Sequence, residues 1–375
     1  MALRYLLPGQ MRFMKENGFD VIMISADGEG REEVIQNEQC RHIIVPLTRK
    51  ITPLQDIKCL YQLVKIFKKE KPDIVHTHTP KAGLLGMMAS YICGVKIRIH
   101  TVAGLPLMVA KGKKLILLKN IEKITYAAAT EVWPNSNSLK KYIISHKLAP
   151  ESKTKMILNG STNGIDLSRY NPQDLDENIM DKIKKTIDFS PHNKYLLCIG
   201  RLVFDKGIVE LVRAFKTLQN EHQSLKLILV GDFEAALDPL PPAILSEIAA
   251  NDSILHIRWT QYVAYYMSLA HLFVFPSHRE GFPNVLLQAG AMNLPVICSN
   301  ITGNTDIISH GKTGLIFPVH EPGPMTNNIN FALQNSDIMK EMAKQLHIEV
   351  ISSYRREDVW NAILENYNQL LQSKN

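Results

Sequence analysis

The stretch Tyr195-Leu196-Leu197-Cys198-Ile199-Gly200-Arg201-Leu202-Val203-Phe204-Asp205-Lys206-Gly207 decides the fold. An apolar run with no polar alternation reads as a strand buried on both faces, as parallel sheets require. Gly200 lets the chain turn at the strand's end, and a helical pattern begins at Ile208. Strand, glycine turn and helix together open a doubly wound α/β domain. Arg201 and Lys206 fall on the loop above the strand's carboxyl edge, where open α/β sheets bind ligands. Arginine can grip phosphate oxygens in bidentate fashion, and lysine adds a point charge.

The same alternation extends in both directions. Residues 225–230, 254–257, 271–275, 295–298 and 315–317 read as further buried strands. Upstream, residues 20–25, 43–46, 73–78, 96–101 and 131–134 form an earlier series, with amphipathic stretches such as 54–69 between them. Two consecutive βα series predict an α/β protein of two Rossmann-like doubly wound domains facing across a cleft. The polar, glycine-bearing stretch 159–172 is the seam. It gives a first domain over 1–165 and a second over 166–355. An amphipathic helix over 356–375 is expected to pack back toward the first domain. The opening departs from the pattern, because a helical run (Leu3, Leu6, Leu7, Met11, Met14) precedes any strand and ends at Asn17-Gly18. The first domain therefore reads as lacking its central first strand, and the expectation is that translation starts upstream of Met1.

A second candidate loop, Ser277-His278-Arg279-Glu280-Gly281-Phe282-Pro283-Asn284, follows the strand at 271–276 and enters a helix over 283–293. Proline suits a first helical turn, whose backbone N–H groups stay free to face an anion. Glu280 is placed to accept hydrogen bonds from sugar hydroxyls, and Gln288 to reach a ribose from inside the helix. Seen alone, each would be an ordinary surface side chain. The turn Thr302-Gly303-Asn304-Thr305-Asp306 brings a further glycine to the same edge, allowing close backbone approach to phosphate.

In the first half, His76 and His78 share one face of a strand. His76 reads as a hydrogen-bonded core residue. For His78 the core and cleft readings both stand, and Lys81 is a cleft candidate beside it. The loop Val102-Ala103-Gly104-Leu105-Pro106 is a second cleft loop. Asp174-Leu175-Asp176 has the look of a metal-binding pair but lies among polar residues, so it reads as solvated charge and no metal site is expected.

Composition sets limits on these readings. Of 375 residues, 45% are hydrophobic and 21% charged, the balance of a globular protein too long for one core. No apolar run reaches membrane-spanning length, and the first residues have no signal-peptide pattern. The five cysteines are scattered without ligand spacing, which predicts buried free thiols in a reducing cytoplasm. The net charge of +7 favours anionic partners. Nucleic acid is not among those expected, since no recognised binding motif is present. Lys111, Lys113, Lys114, Lys119 and Lys123 alternate with Leu115, Ile116, Leu117, Leu118 and Ile121. On a helix this is either an element lying on an anionic membrane or a solvated basic face over a buried apolar one.

Together these segments resemble the retaining glycosyltransferases of the GT-B fold, especially glycosyltransferase family four. The likeness is most specific at residues 200–207 and 277–295, with support at 303–306 and 311–318. Residues 73–86 and 99–106 look like the branch that builds bacterial surface polysaccharides and lipid-linked glycans. The resemblance implies transfer, with retention, of a hexose or N-acetylhexosamine from a nucleotide diphosphate sugar, expected to be a UDP-sugar. The implied acceptor is a saccharide, lipid-diphosphate-linked by preference; the expected location is the cytoplasm, with the inner face of the plasma membrane as one reading of the basic stretch. It implies that Arg201 and Lys206 hold the diphosphate, that Glu280 holds the sugar, and that the amides after it assist. No metal or other cofactor is implied, because side chains and helix dipoles neutralise the leaving group. Gln288 stands where the family pattern has a second glutamate, and Ala103 where a histidine is common; His100 is not in register to replace it. The alternatives are a sugar-nucleotide 2-epimerase on the same fold or a weakly active sugar-nucleotide-binding scaffold.

Overall fold

The computed structural model describes residues 2–48, 50–234 and 238–373. The chain divides into two compact units, Met1–Gly164 with Arg356–Asn375, and Ile165–Arg355. The first contains β1 (Ile22–Ser25), β2 (Arg41–Ile44), β3 (Ile74–Thr77), β4 (Ile97–Val102) and β5 (Glu131–Pro134). The second contains β6 (Lys194–Ile199), β7 (Leu225–Val230), β8 (Ile254–Ile257), β9 (Leu272–Phe275), β10 (Val296–Ser299) and β11 (Leu315–Phe317). All the strands expected from the apolar runs are present, with small shifts at their ends.

In the second unit the strands make one parallel sheet in the order β11-β10-β9-β6-β7-β8. This is the doubly wound order, and the winding reverses between β6 and β9. Burial follows the pleat on both faces. Tyr195, Leu197, Phe273 and Phe275 enter one apolar layer, while Leu196, Cys198, Leu272 and Val274 enter the other. With both faces covered, no position of these runs can be polar, which is why they read as continuous apolar stretches.

The first unit differs. Its strands form two separate parallel sheets, β1-β2 and β3-β4-β5. Among the described residues no strand joins β1 to β3. The two sheets nevertheless share layers: Ile24 and Val45 pack with Val75 and Leu85, and Val21 packs in the layer of Ile74, Ile97 and Ile99. The helix Arg356–Gln372 belongs to this unit, with Val359 and Ile363 in the same layer and Trp360 against Phe13 at 5.2 Å between ring centroids.

Two expectations need correction. The opening helical run is two helices, Ala2–Tyr5 and Gln10–Glu16. Pro8 cannot donate a helical hydrogen bond, and Gly9 adopts a left-handed conformation (φ 83°) where an added Cβ would lie 2.7 Å from Trp360. Asp176 is also more than solvated charge. Its carboxylate accepts from the amides of Asn178 (2.8 Å) and Ile179 (3.1 Å) and caps the helix Glu177–Thr186.

Candidate active site

The carboxyl edge of the second sheet is assembled by backbone approaching backbone. An added Cβ on Gly207 (φ 68°) would fall 2.1 Å from the Pro276 carbonyl oxygen, and one on Gly303 (φ 89°) would fall 2.5 Å from that of Gly281. Only glycine fits either place, so the loops after β6, β9 and β10 converge at the switch point. The amide of His278 donates to the Asp205 carbonyl (2.8 Å), tying the first two loops again.

The charged side chains on this edge are paired. Lys206 Nζ meets Glu280 Oε1, with both side chains more than four-fifths buried. Ser277 Oγ donates to the same carboxylate oxygen at 2.9 Å. Arg201 pairs with Glu234, and Arg279 donates to Asp205 at 2.6 Å. Burial pushes the Asp205 carboxyl up, but its hydrogen bond to Arg279 and that cation's charge outweigh burial and hold it below its usual value.

Gly281, Phe282 and Pro283 are buried, and Phe282 packs on Tyr354 at 5.5 Å between ring centroids. The helix begins at Asn284 and runs to Ala291, with Pro283 as its N-cap rather than its first residue. No side chain caps it, which leaves its first amides to an outside acceptor. Gln288 is half-buried on this helix. Asn304, expected among the donor-binding residues, has a structural side chain. It is fully buried, and its Nδ2 donates to Ser299 O (2.9 Å) and Oγ (3.1 Å), so it builds the turn at Gly303. Ser299 Oγ in turn donates to the Ser277 carbonyl. Buried hydrogen bonds thus run from Asn304 through Ser299 and Ser277 to Glu280. Ser277, Ser299, Asp205 and Glu234 were not foreseen from the sequence. The only signal for the two serines was a hydroxyl at the end of a buried strand.

The first-unit candidates do not form a comparable cluster. Lys81 Nζ donates to Asp56 (2.7 Å), Thr48 (2.9 Å), Thr52 (3.2 Å) and the Lys50 carbonyl. The sequence reading made Lys81 a cleft candidate; in the structure its charge is paired and fastens Thr48, Lys50 and Thr52. His76 bonds Tyr367 (2.5 Å) and Thr101 (2.7 Å), as a core residue would. His78 lies 4.1 Å from the His76 ring, and burial, then the charge of His100, lowers its pKa to about 3. Its Nδ1 is buried without a hydrogen-bond partner. Ala103 and Gly104 are half-buried in the loop after β4. His100 is interior, bonded to Thr77 at 2.8 Å, and an added Cβ on Gly83 would strike its ring at 2.4 Å. It therefore cannot serve the loop at Ala103.

The helix Gly112–Ala128 bears on the two readings of the basic stretch. Leu115 and Leu118 pack inward, but Ile116, Leu117 and Ile124 are 63%, 46% and 50% exposed among Lys113, Lys114 and Lys123. The apolar side chains are thus not all buried. No helix among the described residues is long and apolar enough to cross a membrane.

Comparison with known proteins agrees with this architecture. Residues 179–347 match the family model for glycosyl transferases group 1, and residues 4–136 match that for glycosyl transferase 4-like domains. A capsular polysaccharide biosynthesis glycosyltransferase, CapM of Staphylococcus aureus, is 32% identical over 98% of this chain and 94% of its own. The chain belongs to the GT-B glycosyltransferases. A second relative of this glycosyltransferase is the Escherichia coli UDP-Gal:alpha-D-GlcNAc-diphosphoundecaprenol alpha-1,3-galactosyltransferase, 25% identical over 92% of this chain and 88% of its own. Among solved structures, Anabaena HepE in complex with UDP-glucose superposes with a TM-score of 0.79 over 96% of this chain and 94% of its own, at 16% identity. That likeness establishes the fold. Both named relatives are glycosyltransferases, and the name of CapM places that protein in capsular polysaccharide biosynthesis.

Proposed function

We propose that this glycosyltransferase moves a hexose or N-acetylhexosamine from a UDP-sugar to a lipid-diphosphate-linked saccharide, with retention and without a metal at the diphosphate. The observation that carries the reading is the Lys206–Glu280 pair at the switch point, flanked by Arg201 and the uncapped helix start at Asn284. A diphosphate offers Arg201 and Lys206 stronger partners than their present carboxylates. Its arrival releases Glu280 to accept hydrogen bonds from the sugar. The bond from the anomeric carbon to the β-phosphate oxygen breaks and one to the acceptor oxygen forms. The departing phosphate takes the acceptor proton. Charge grows on that phosphate in the transition state, so Arg201 and Lys206 act mainly there. Gln288 bonds the ribose without charge assistance, which weakens nucleotide binding.

The acceptor's lipid implies a membrane. The exposed Ile116, Leu117 and Ile124 among lysines fit an anionic inner leaflet of the plasma membrane. Proton NMR of the product's anomeric linkage, using labelled UDP-sugars and an undecaprenyl-diphosphate saccharide, tests the reading. Inversion at the anomeric carbon removes the retaining mechanism. Donor loss without an acceptor points to the epimerase. The scaffold reading is eliminated by any acceptor-dependent turnover.

A further inference from the structure

A cluster beside the donor edge is not accounted for by nucleotide-sugar chemistry. Glu210 lies in the first turn of the helix Ile208–Gln219, His278 in the loop after β9, and His320 beyond β11. Glu210 Oε1 is 3.2 Å from His278 Nε2 and 3.8 Å from His320 Nδ1. One ligand atom from each residue lies within 4.8 Å of the other two. The two imidazole rings meet edge to face at 4.1 Å. His320 is held there by a left-handed backbone (φ 66°), which a non-glycine residue adopts only under constraint.

The arrangement leaves polar atoms unsatisfied. Glu210 Oε2 is buried with no hydrogen-bond partner, and His278 Nε2 has only the Glu210 carboxylate within reach, at 3.2 Å. Such atoms are costly unless something outside the protein satisfies them. The cluster offers one carboxylate and two imidazoles on three separate segments.

We propose that Glu210, His278 and His320 bind a transition-metal dication, zinc by ligand chemistry. Two imidazole nitrogens and one carboxylate oxygen, with a fourth position open to water, form a set that zinc accepts; magnesium and calcium prefer oxygen-only sets. Ligand atoms around a tetrahedral zinc stand about 3.3 Å apart, given bonds of about 2.0 Å. The Glu210–His278 distance already meets that spacing. His320, with its side chain 63% exposed, can turn to close the remainder. The ion would join a helix and two loops of one unit, bracing the segment that carries Arg279 and Glu280. It is a structural brace and takes no part in phosphate neutralisation, so it stands whether or not the donor reading does.

The test uses the full chain stripped with chelator, then titrated with zinc, magnesium or calcium chloride. Competition with a chromophoric chelator gives stoichiometry and affinity, and thermal unfolding gives the stability change. The expected result is one zinc per chain and a Tm rise of about 4 °C, with no comparable rise from magnesium or calcium. His320→Asn keeps a residue type that tolerates the left-handed backbone. It should weaken zinc at least about tenfold and abolish most of the shift. Absence of stoichiometric zinc, or zinc binding and a Tm rise unchanged in both His320→Asn and Glu210→Gln, overturns the proposal.

Discussion

Between β6 and β9 of the second unit, Leu196 pairs with Leu272 and Leu197 with Phe273, so the sheet runs unbroken through the point where its winding reverses. Between β1 and β3 of the first unit no strand pairing occurs among the described residues, although side chains from both sheets share the same apolar layers. The two units have the same alternation of strands and helices but differ at the position that matters most for binding. Where the sheet is closed, three loops meet on glycine contacts and hold paired charges in fixed places. In the first unit Lys81 is drawn onto Asp56, and His76 and His100 are held by Tyr367, Thr101 and Thr77, beside the buried His78.

The strongest test of that contrast is kinetic. Lys206→Ala should lower kcat about 100- to 1,000-fold with a smaller change in donor affinity, because its charge acts on the departing phosphate. Lys81→Ala should leave kcat within a fewfold. Equal losses in steady-state assays would erase the distinction between the two edges.

Backbone fit gives the next largest effect. Gly207→Ala places a methyl 2.1 Å from the Pro276 carbonyl oxygen on a left-handed backbone and should cost about 3 kcal/mol. Gly18→Ala in the first unit meets nothing within 4 Å at φ 91° and should cost only about 1 kcal/mol of backbone strain. Urea unfolding of both variants measures the difference.

Acid should act on the first unit. Burial lowers the pKa of His78 to about 3 and of His100 to about 4, from 6.5. Groups lowered in this way contribute stability that is present above pH 6.5 and lost as pH falls toward those values. Glu122 opposes them. Burial raises its pKa from 4.5 to about 7, so its contribution is present below pH 4.5 and lost as pH rises through 7. Burial lowers His76 as well, so the histidines outnumber Glu122, and lowering pH from 6.5 to 5 should destabilise the first unit by at least about 2 kcal/mol net. Denaturation curves at the two pH values check the sign.

The smallest effect concerns exchange. Amides of β1 should exchange about tenfold faster or more than those of β6, since a strand with an unpaired edge opens locally. Hydrogen-exchange mass spectrometry resolves the two segments.

The comparison also separates what was legible in the sequence. The apolar runs located the strands because a doubly covered parallel strand admits no polar position. Gly207 and Gly303 marked the ligand edge because only glycine permits such approach, and Gly200 marked the turn that ends β6. Arg201, Lys206, Glu280 and the helix start near Pro283 could be placed on one edge by counting from those strands. The break at Pro8-Gly9 and the capping role of Asp176 were local features overlooked in favour of periodicity and charge.

Partners could not be read in the same way. Glu280 is 74 residues from Lys206, Glu234 is 33 from Arg201, and the side chain of Asn304 is buried against Ser299. Pattern and turn chemistry are local, so the sequence by itself determined the strands, the glycine turns and the edge they form. Which cation meets which carboxylate, and which histidine turns inward, depends on how distant loops approach one another, and only the tertiary structure decided it.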